Sequence, residues 1–272
     1  MARLSMSEMT TYRWSFEEDV ANYAAAGIHG IGVWRQKLSD FGEERGIELL
    51  NESGLQVSNL LWAGGFTGGD GRSLRDSIED GFEAIRQAAD MRAGCLVVYS
   101  GGRAGHTRGH ARRLLGEALR ALLPMADEFG VTLAIEPMHA DCAAGWTFLT
   151  SLDEAREYLD RFDSTRLRVV VDTYHAGLDD RALHLLAEMA PRTAVVHLAD
   201  GHLPLEAEQN RCLLGTGLVR LKECVEALAA GGYDGYYDIE LIGPEIENTD
   251  YHQVLRRSKE SFEQLLGSAA AM

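Results

Sequence analysis

The sequence predicts an α/β fold, a single closed (β/α)8 barrel, on three observations. Strand-like and helix-like patterns alternate along all 272 residues with no Ser/Pro-rich linker and no break in composition, and repeated βα units build a parallel sheet. Eight such pairs can be counted, the number that closes a barrel of roughly 250 residues. Side chains able to do chemistry stand at the C-terminal ends of successive strand patterns, where a barrel gathers its active site. An open dinucleotide-binding sheet fits less well, because the first βα turn has no G-x-G-x-x-G and no G-x-x-x-x-G-K-[ST] occurs anywhere.

The strand patterns lie near residues 3–8, 28–34, 55–62, 94–100, 131–138, 167–173, 193–199 and 235–242. Between them, apolar residues recur at helical spacing in SLRDSIEDGFEAIRQAADM, HARRLLGEALRALLPMADEFG, SLDEAREYLDRF and DDRALHLLAEMA, with Gly or Pro near several ends. A 46% hydrophobic content supplies a full core, and no uninterrupted apolar run reaches the roughly 18 residues of a membrane span. The N-terminus lacks a basic segment followed by an apolar one, so the expected location is the cytoplasm. Cys95, Cys142, Cys212 and Cys224 are scattered, which points to reduced structural thiols. The net charge of −16, from 42 acidic against 26 basic residues, repels polyphosphate backbones and argues against a nucleic-acid partner.

Four strand ends carry Glu136 (VTLAIEPMH), Asp172 (LRVVVDTYH), His197 (TAVVHLAD) and Glu240 (YYDIELIG). Side chains alternate faces along a strand. Glu136 therefore shares a face with Thr132 and Ala134, Asp172 with Arg168 and Val170, His197 with Thr193 and Val195, and Glu240 with Tyr236 and Asp238. All four can point into one central space. Three carboxylates and one imidazole make an oxygen-rich donor set, which favours Mn, with Co or Mg as substitutes, over the sulfur-rich sets of structural zinc.

In their order along the chain, I-E-P at 135–137, D-x-x-H (Asp172, His175), H-x-x-D (His197, Asp200), G-x-G (Gly215, Gly217) and the terminal-strand Glu240 resemble the xylose isomerase-like TIM barrels. This family includes sugar isomerases, ketose 3-epimerases, hydroxypyruvate isomerase, inosose dehydratase and endonuclease IV. The resemblance spans essentially the whole chain and implies one TIM-barrel domain over 1–272. It implies that Glu136, Asp172, His197 and Glu240 bind one divalent metal, that Glu136 and Glu240 also move protons, and that His175 contacts substrate. Arg211 resembles the substrate-binding arginine of the epimerase-like members, although Leu214 stands where their motif has proline.

The activity so implied is a metal-dependent isomerase or epimerase acting on a ketose or related hydroxyketone, through an enediolate formed by removing the proton beside the carbonyl. The expected partner is a small carbohydrate or polyol-derived substrate, and a homo-oligomer is compatible with the sequence. The alternative is a lyase of the same family, inosose or dehydroshikimate dehydratase-like or C-glycoside-cleaving, which expels a β-substituent from a similar enolate. A non-catalytic binding protein would be expected to have lost one of the four ligands, and all are present. An endonuclease IV role would need additional histidines where Trp34, Trp62 and Tyr99-Ser100 stand.

Trp34 and Trp62 follow the second and third strand patterns and are candidate walls for a sugar ring. Trp14 and Trp146 are candidate pocket covers. Lys37 reads as a solvated lysine at a helix start. Asp200 and His202 are placed to orient His197 or line its loop, and the glycine runs at 64–72 and 100–106 read as mobile active-site loops.

Overall fold

The computed structural model describes residues 2–205 and 209–269. Eight parallel strands close a barrel: β1 (Arg3–Ser7), β2 (Gly30–Trp34), β3 (Gln56–Gly64), β4 (Leu96–Tyr99), β5 (Leu133–Ile135), β6 (Leu167–Asp172), β7 (Thr193–Leu198) and, after a short ribbon of β8 (Asp200–Gly201) and β9 (Arg211–Cys212), β10 (Tyr236–Ile239). β1 pairs with β10 on one side and β2 on the other, which completes the ring. The helices are α1 (Phe16–Ala25), α2 (Arg35–Phe41), α3 (Glu43–Ser53), α4 (Leu74–Asp90), α5 (Arg108–Glu128), α6 (Leu152–Phe162), α7 (Thr173–Ala176), α8 (Asp180–Met189), α9 (Leu221–Ala230), α10 (Pro244–Glu247) and α11 (Tyr251–Ala269). No described helix is long and apolar enough to cross a membrane.

The long helices start where a side chain can satisfy the exposed N–H groups of a first turn. Ser15 with Glu18, and Ser73 with Asp76, form reciprocal caps on α1 and α4. Thr107, Ser151 and Asp179 cap α5, α6 and α8. Gly54, left-handed at φ 76°, ends α3.

The period of two along the strands sorts the core into two layers. Leu96, Val98, Leu133, Ile135, Val169, Val171, Val196 and Ile239 pack outward against the helices. Leu61, Val97, Ala134, Val170 and Val195 fill the barrel interior. Truncating a leucine such as Leu96 to alanine would cost about 2–5 kcal/mol. The interior turns polar where Ser5, Ser58, Asn59 and Asp238 meet, with Asn59 Nδ2 donating to Asp238 Oδ2 at 2.9 Å. Burial pushes the Asp238 carboxyl up to about 6. Gly32 borders this cluster because a Cβ there would stand 2.3 Å from Asp238 Oδ2.

Candidate active site at the barrel mouth

The inner-layer parity carries four side chains to the C-terminal end of the barrel. Glu136 follows β5, Asp172 ends β6, His197 lies in the last turn of the pleat in β7, and Glu240 follows β10. Asp172 and His197 are direct cross-strand neighbours. All four are buried, with 1, 2, 0 and 5% exposure respectively. Ligand atoms of Glu136, Asp172 and His197 lie within 4.8 Å of one another, so these three could hold a metal ion. His197 Nδ1 is 2.7 Å from Glu240 Oε2 and 3.3 Å from Glu136 Oε1. Glu240 thus joins the cluster through the imidazole.

The electrostatics demand positive charge at this point. Burial opposes protonation of His197, but Glu240 and Glu136 outweigh it and hold the imidazolium well above the ordinary histidine value. Burial raises the Glu136 carboxyl, opposed by His197 and reinforced by Glu240 and Asp172. Glu136 Oε2 is buried with no hydrogen-bond partner among the described residues, which is costly unless something satisfies it. An acidic, partly unsatisfied donor set of this kind fits a divalent cation.

Neighbouring residues position the cluster. Arg211, from β9, donates to Asp172 Oδ2 at 2.9 Å and to the Glu240 carbonyl at 3.0 Å, while Tyr174 N donates to Asp172 Oδ1 at 2.7 Å. Thr10 brackets Glu240 in the chain: its hydroxyl donates to Ile239 O at 3.0 Å and accepts from Leu241 N at 2.9 Å. The spacing of Thr10 after β1 held no signal of this, since the contact spans the barrel closure.

A cavity of about 100 Å3 opens over the site, lined by Glu136, Glu240, Arg211 and Gln209 on one side and by Met9, Leu61, Trp62, Tyr99, Met138, Trp146 and Ile242 on the other. Trp62 and Trp146 thus meet at the cavity. Trp34 does not line it: its backbone N donates to Glu8 Oε2 at 2.7 Å and it sits half-buried at the start of α2. His175 Nε2 is 3.8 Å from Asp172 Oδ2, but the ring lines a separate, smaller cavity of about 30 Å3 with Pro137, His139 and Thr150. Tyr99, Met9, Met138 and Gln209 carried no motif, and only the barrel closure brings them to the site.

One expectation, for Lys37, needs correction, and of the two roles open to Asp200 and His202 the structure favours lining the loop over orienting His197. Lys37 is not a solvated helix-start lysine: it is buried, paired with Asp19 and hydrogen-bonded to Thr11 O at 3.0 Å. Glu8, fully buried, stands beside that cluster, where the charge of Asp19 acts on it. Asp200 neither orients His197 nor faces the cavity; its carboxylate accepts from Gly215 N and Gly217 N at 2.9 Å and from Val219 N at 3.1 Å, so it organises the G-x-G turn. His202 lies beside Glu245, at 3.4 Å, in a half-exposed position.

Comparison with known proteins agrees with this fold. The chain is 26% identical over 243 residues to a putative hydroxypyruvate isomerase of Streptomyces coelicolor, covering 82% of this chain and 84% of that protein. The crystal structure of protein SMc04130 from Sinorhizobium meliloti superposes with a TM-score of 0.90 at 26% identity, over 96% of this chain and 98% of that one. The IOLI protein, solved with a bound zinc atom, has the same fold at a TM-score of 0.85 and 16% identity, over 99 and 100% of the two chains. A family profile for the xylose isomerase-like TIM barrel matches residues 20–265. With the barrel, the strand-end acids and this match together, the chain belongs to the xylose isomerase-like TIM barrel family.

Proposed function

We propose that the protein is a divalent-metal-dependent isomerase or epimerase that moves a proton beside the carbonyl of a small ketose or hydroxyketone. The observation that carries this reading is the pair of carboxyl groups, Glu136 and Glu240, that line one cavity from different strands and meet at His197. Glu136, Asp172, His197 and Glu240 would hold the cation, Mn foremost, with Co or Mg as substitutes. When bound, such a cation supplies Lewis acidity toward a carbonyl oxygen.

The proton work falls to the chain's own residues. Burial raises the Glu136 carboxyl above its ordinary value, and its place at the cavity lets it take a proton from a bound substrate. Glu240, held in place by Thr10 and Arg211, can return the proton from another direction. Return to the same carbon on the opposite face gives epimerisation, and return to the adjacent carbon gives isomerisation. The apolar wall opposite the acids excludes water from the exchanging carbon. The likeness to a hydroxypyruvate isomerase supports a short hydroxyketone as the first substrate to try.

The test is proton exchange in heavy water with hydroxypyruvate, followed by NMR at C3, with metal content measured on protein purified without chelator. Exchange that stops on chelation and returns with Mn, Co or Mg is expected, and Asp172→Ala or His197→Ala should lower metal content and exchange together. Absence of any stoichiometric divalent metal, or full metal occupancy in both variants, would overturn the assignment. Loss of a β-substituent in place of proton return would move the enzyme to the lyase class.

A further inference from the structure

The cavity that holds Glu136 and Glu240 shares a wall with a second cavity of about 370 Å3. Trp62, Tyr99 and Trp146 line both. Their rings meet edge-on or tilted, with centroids 5.8 Å apart for Trp62 and Tyr99, 5.1 Å for Trp62 and Trp146, and 5.5 Å for Tyr99 and Trp146. Trp146 is 37% exposed, so part of its indole is open at these cavities. Its loop is held at the backbone, with Gly101 N donating to Trp146 O at 2.9 Å and Trp146 N donating to Ala143 O at 2.9 Å. The indole is therefore presented on a fixed support at the boundary between the two spaces.

Size and charge narrow the occupant. Ordinary small-molecule sites run from roughly 300 to 1,000 Å3. The inner cavity, at about 100 Å3, falls below that range and the outer one, at about 370 Å3, falls inside it. The outer wall is otherwise mostly glycine backbone, with Asp70 and Arg72 as its charged lining. Arg72 already pairs with Asp70 at 2.7 Å and Asp80 at 3.2 Å and donates to Gly64 O at 3.0 Å. Its charge is matched within the wall, so a phosphate entering this space would lose water without meeting an unmatched cation. Ring edges, shape and the uncharged glycine backbone are what the space offers.

We infer that the two cavities form one site for a two-part ligand: an enolisable end beside Glu136 and Glu240, and an uncharged ring carried beyond it against Trp146. This rests on the proton-transfer role proposed above for the inner cavity. Trp146 is then a specificity-determining residue, and the substrate is unphosphorylated at its outer end.

Calorimetric titration of the intact protein with methyl β-D-glucopyranoside, phenyl β-D-glucopyranoside and glucose 6-phosphate tests this. The phenyl glycoside should bind about 10-fold tighter than the methyl glycoside, the order expected for an added ring contact, with no such preference for the phosphate. Trp146→Ala should reduce the phenyl preference to less than about 2-fold, and Trp146→Phe should keep most of it. Equal affinity for the two glycosides, failure of both to bind, tighter binding of the phosphate, or a phenyl preference that survives in Trp146→Ala would overturn the inference. Hydroxypyruvate exchange by the unaltered protein is scored separately. Its absence alongside a clear phenyl preference would refute the proton-transfer role while leaving the two-compartment binding site in place.

Discussion

Two buried acidic clusters stand at the same end of this barrel, and they behave differently. Glu136, Asp172, His197 and Glu240 hold three carboxylates against one imidazole, and two of those carboxylates line a cavity. Glu8 and Asp19, held by Lys37 and Thr11, are as deeply buried, yet none of these four residues lines that cavity. The second cluster neutralises itself. Burial raises Glu8 well above the ordinary carboxyl value and Asp19 to about 6, and Lys37 pairs with Asp19. Burial of an acid is thus no guide to chemistry by itself. What separates the clusters is whether the charge is matched inside the protein or left facing a space that a ligand can enter.

Removing Lys37 should break the self-neutralised cluster most severely. Lys37→Met leaves Asp19 buried without its cation and should destabilise the fold by about 3–5 kcal/mol at pH 8, and by less at pH 5, where Asp19 takes up a proton. Urea unfolding at the two pH values measures this. A pH-independent loss would mean that the ammonium contributes packing and not charge.

Asp19 should also leave a signature in the pH dependence of the unaltered chain. Its folded value, about 6, lies above the unfolded carboxyl value of ~3.9. The native state therefore holds a proton that the unfolded state has released. Stability from this group is greatest at acid pH and falls as pH rises from ~4 to ~6, by about 3 kcal/mol in all. Asp19→Asn should lessen the slope by that amount in paired urea titrations and leave the share due to Asp238, also raised to about 6; an unchanged slope would place the titration elsewhere.

The sharpest test of the contrast is catalytic. Glu136→Gln and Glu240→Gln should each slow proton exchange by roughly 100-fold or more, the weight of a positioned base. Glu8→Gln, which replaces a carboxyl that burial raises by an amide of equal size, should change exchange by less than about 3-fold and stability by less than about 1 kcal/mol. NMR exchange rates on metal-loaded proteins compare the three. Equal defects would erase the distinction between the clusters.

The smallest effect concerns positioning. Thr10→Val deletes the hydroxyl that brackets Glu240 and should cost about 1 kcal/mol of stability and lower kcat more than it raises KM, whereas Thr10→Ser should restore both. Rescue of stability without rescue of kcat would show that Thr10 supports the strand end and not the geometry of Glu240.

The alternation of patterns along the chain was enough to read a closed barrel, because helical and strand periods are local properties of sequence. The parity that sent Glu136, Asp172, His197 and Glu240 toward one space was legible for the same reason, and the inner layer of Ala134, Val170 and Val195 follows it. Trp34 and Trp62 looked equivalent in sequence, each at a strand end. They differ because the register of β3 against β4 shifts between Leu60 and Ala63, which brings Trp62 among the interior residues at the cavity, whereas Trp34 ends β2 as the N-cap of α2.

The sequence by itself determined the fold class, the order of elements and the strand ends at which acids occur, since each depends on residues within a few positions of one another. Tertiary structure alone decided which acids share a cavity and which neutralise one another. Lys37 reaches Asp19 across 18 positions, Arg211 reaches Asp172 across 39, and Thr10 meets Ile239 across 229. The first two arise when neighbouring units of the barrel pack together and the last only when β1 and β10 close the ring, and no local pattern encodes the burial that then sets each group's charge.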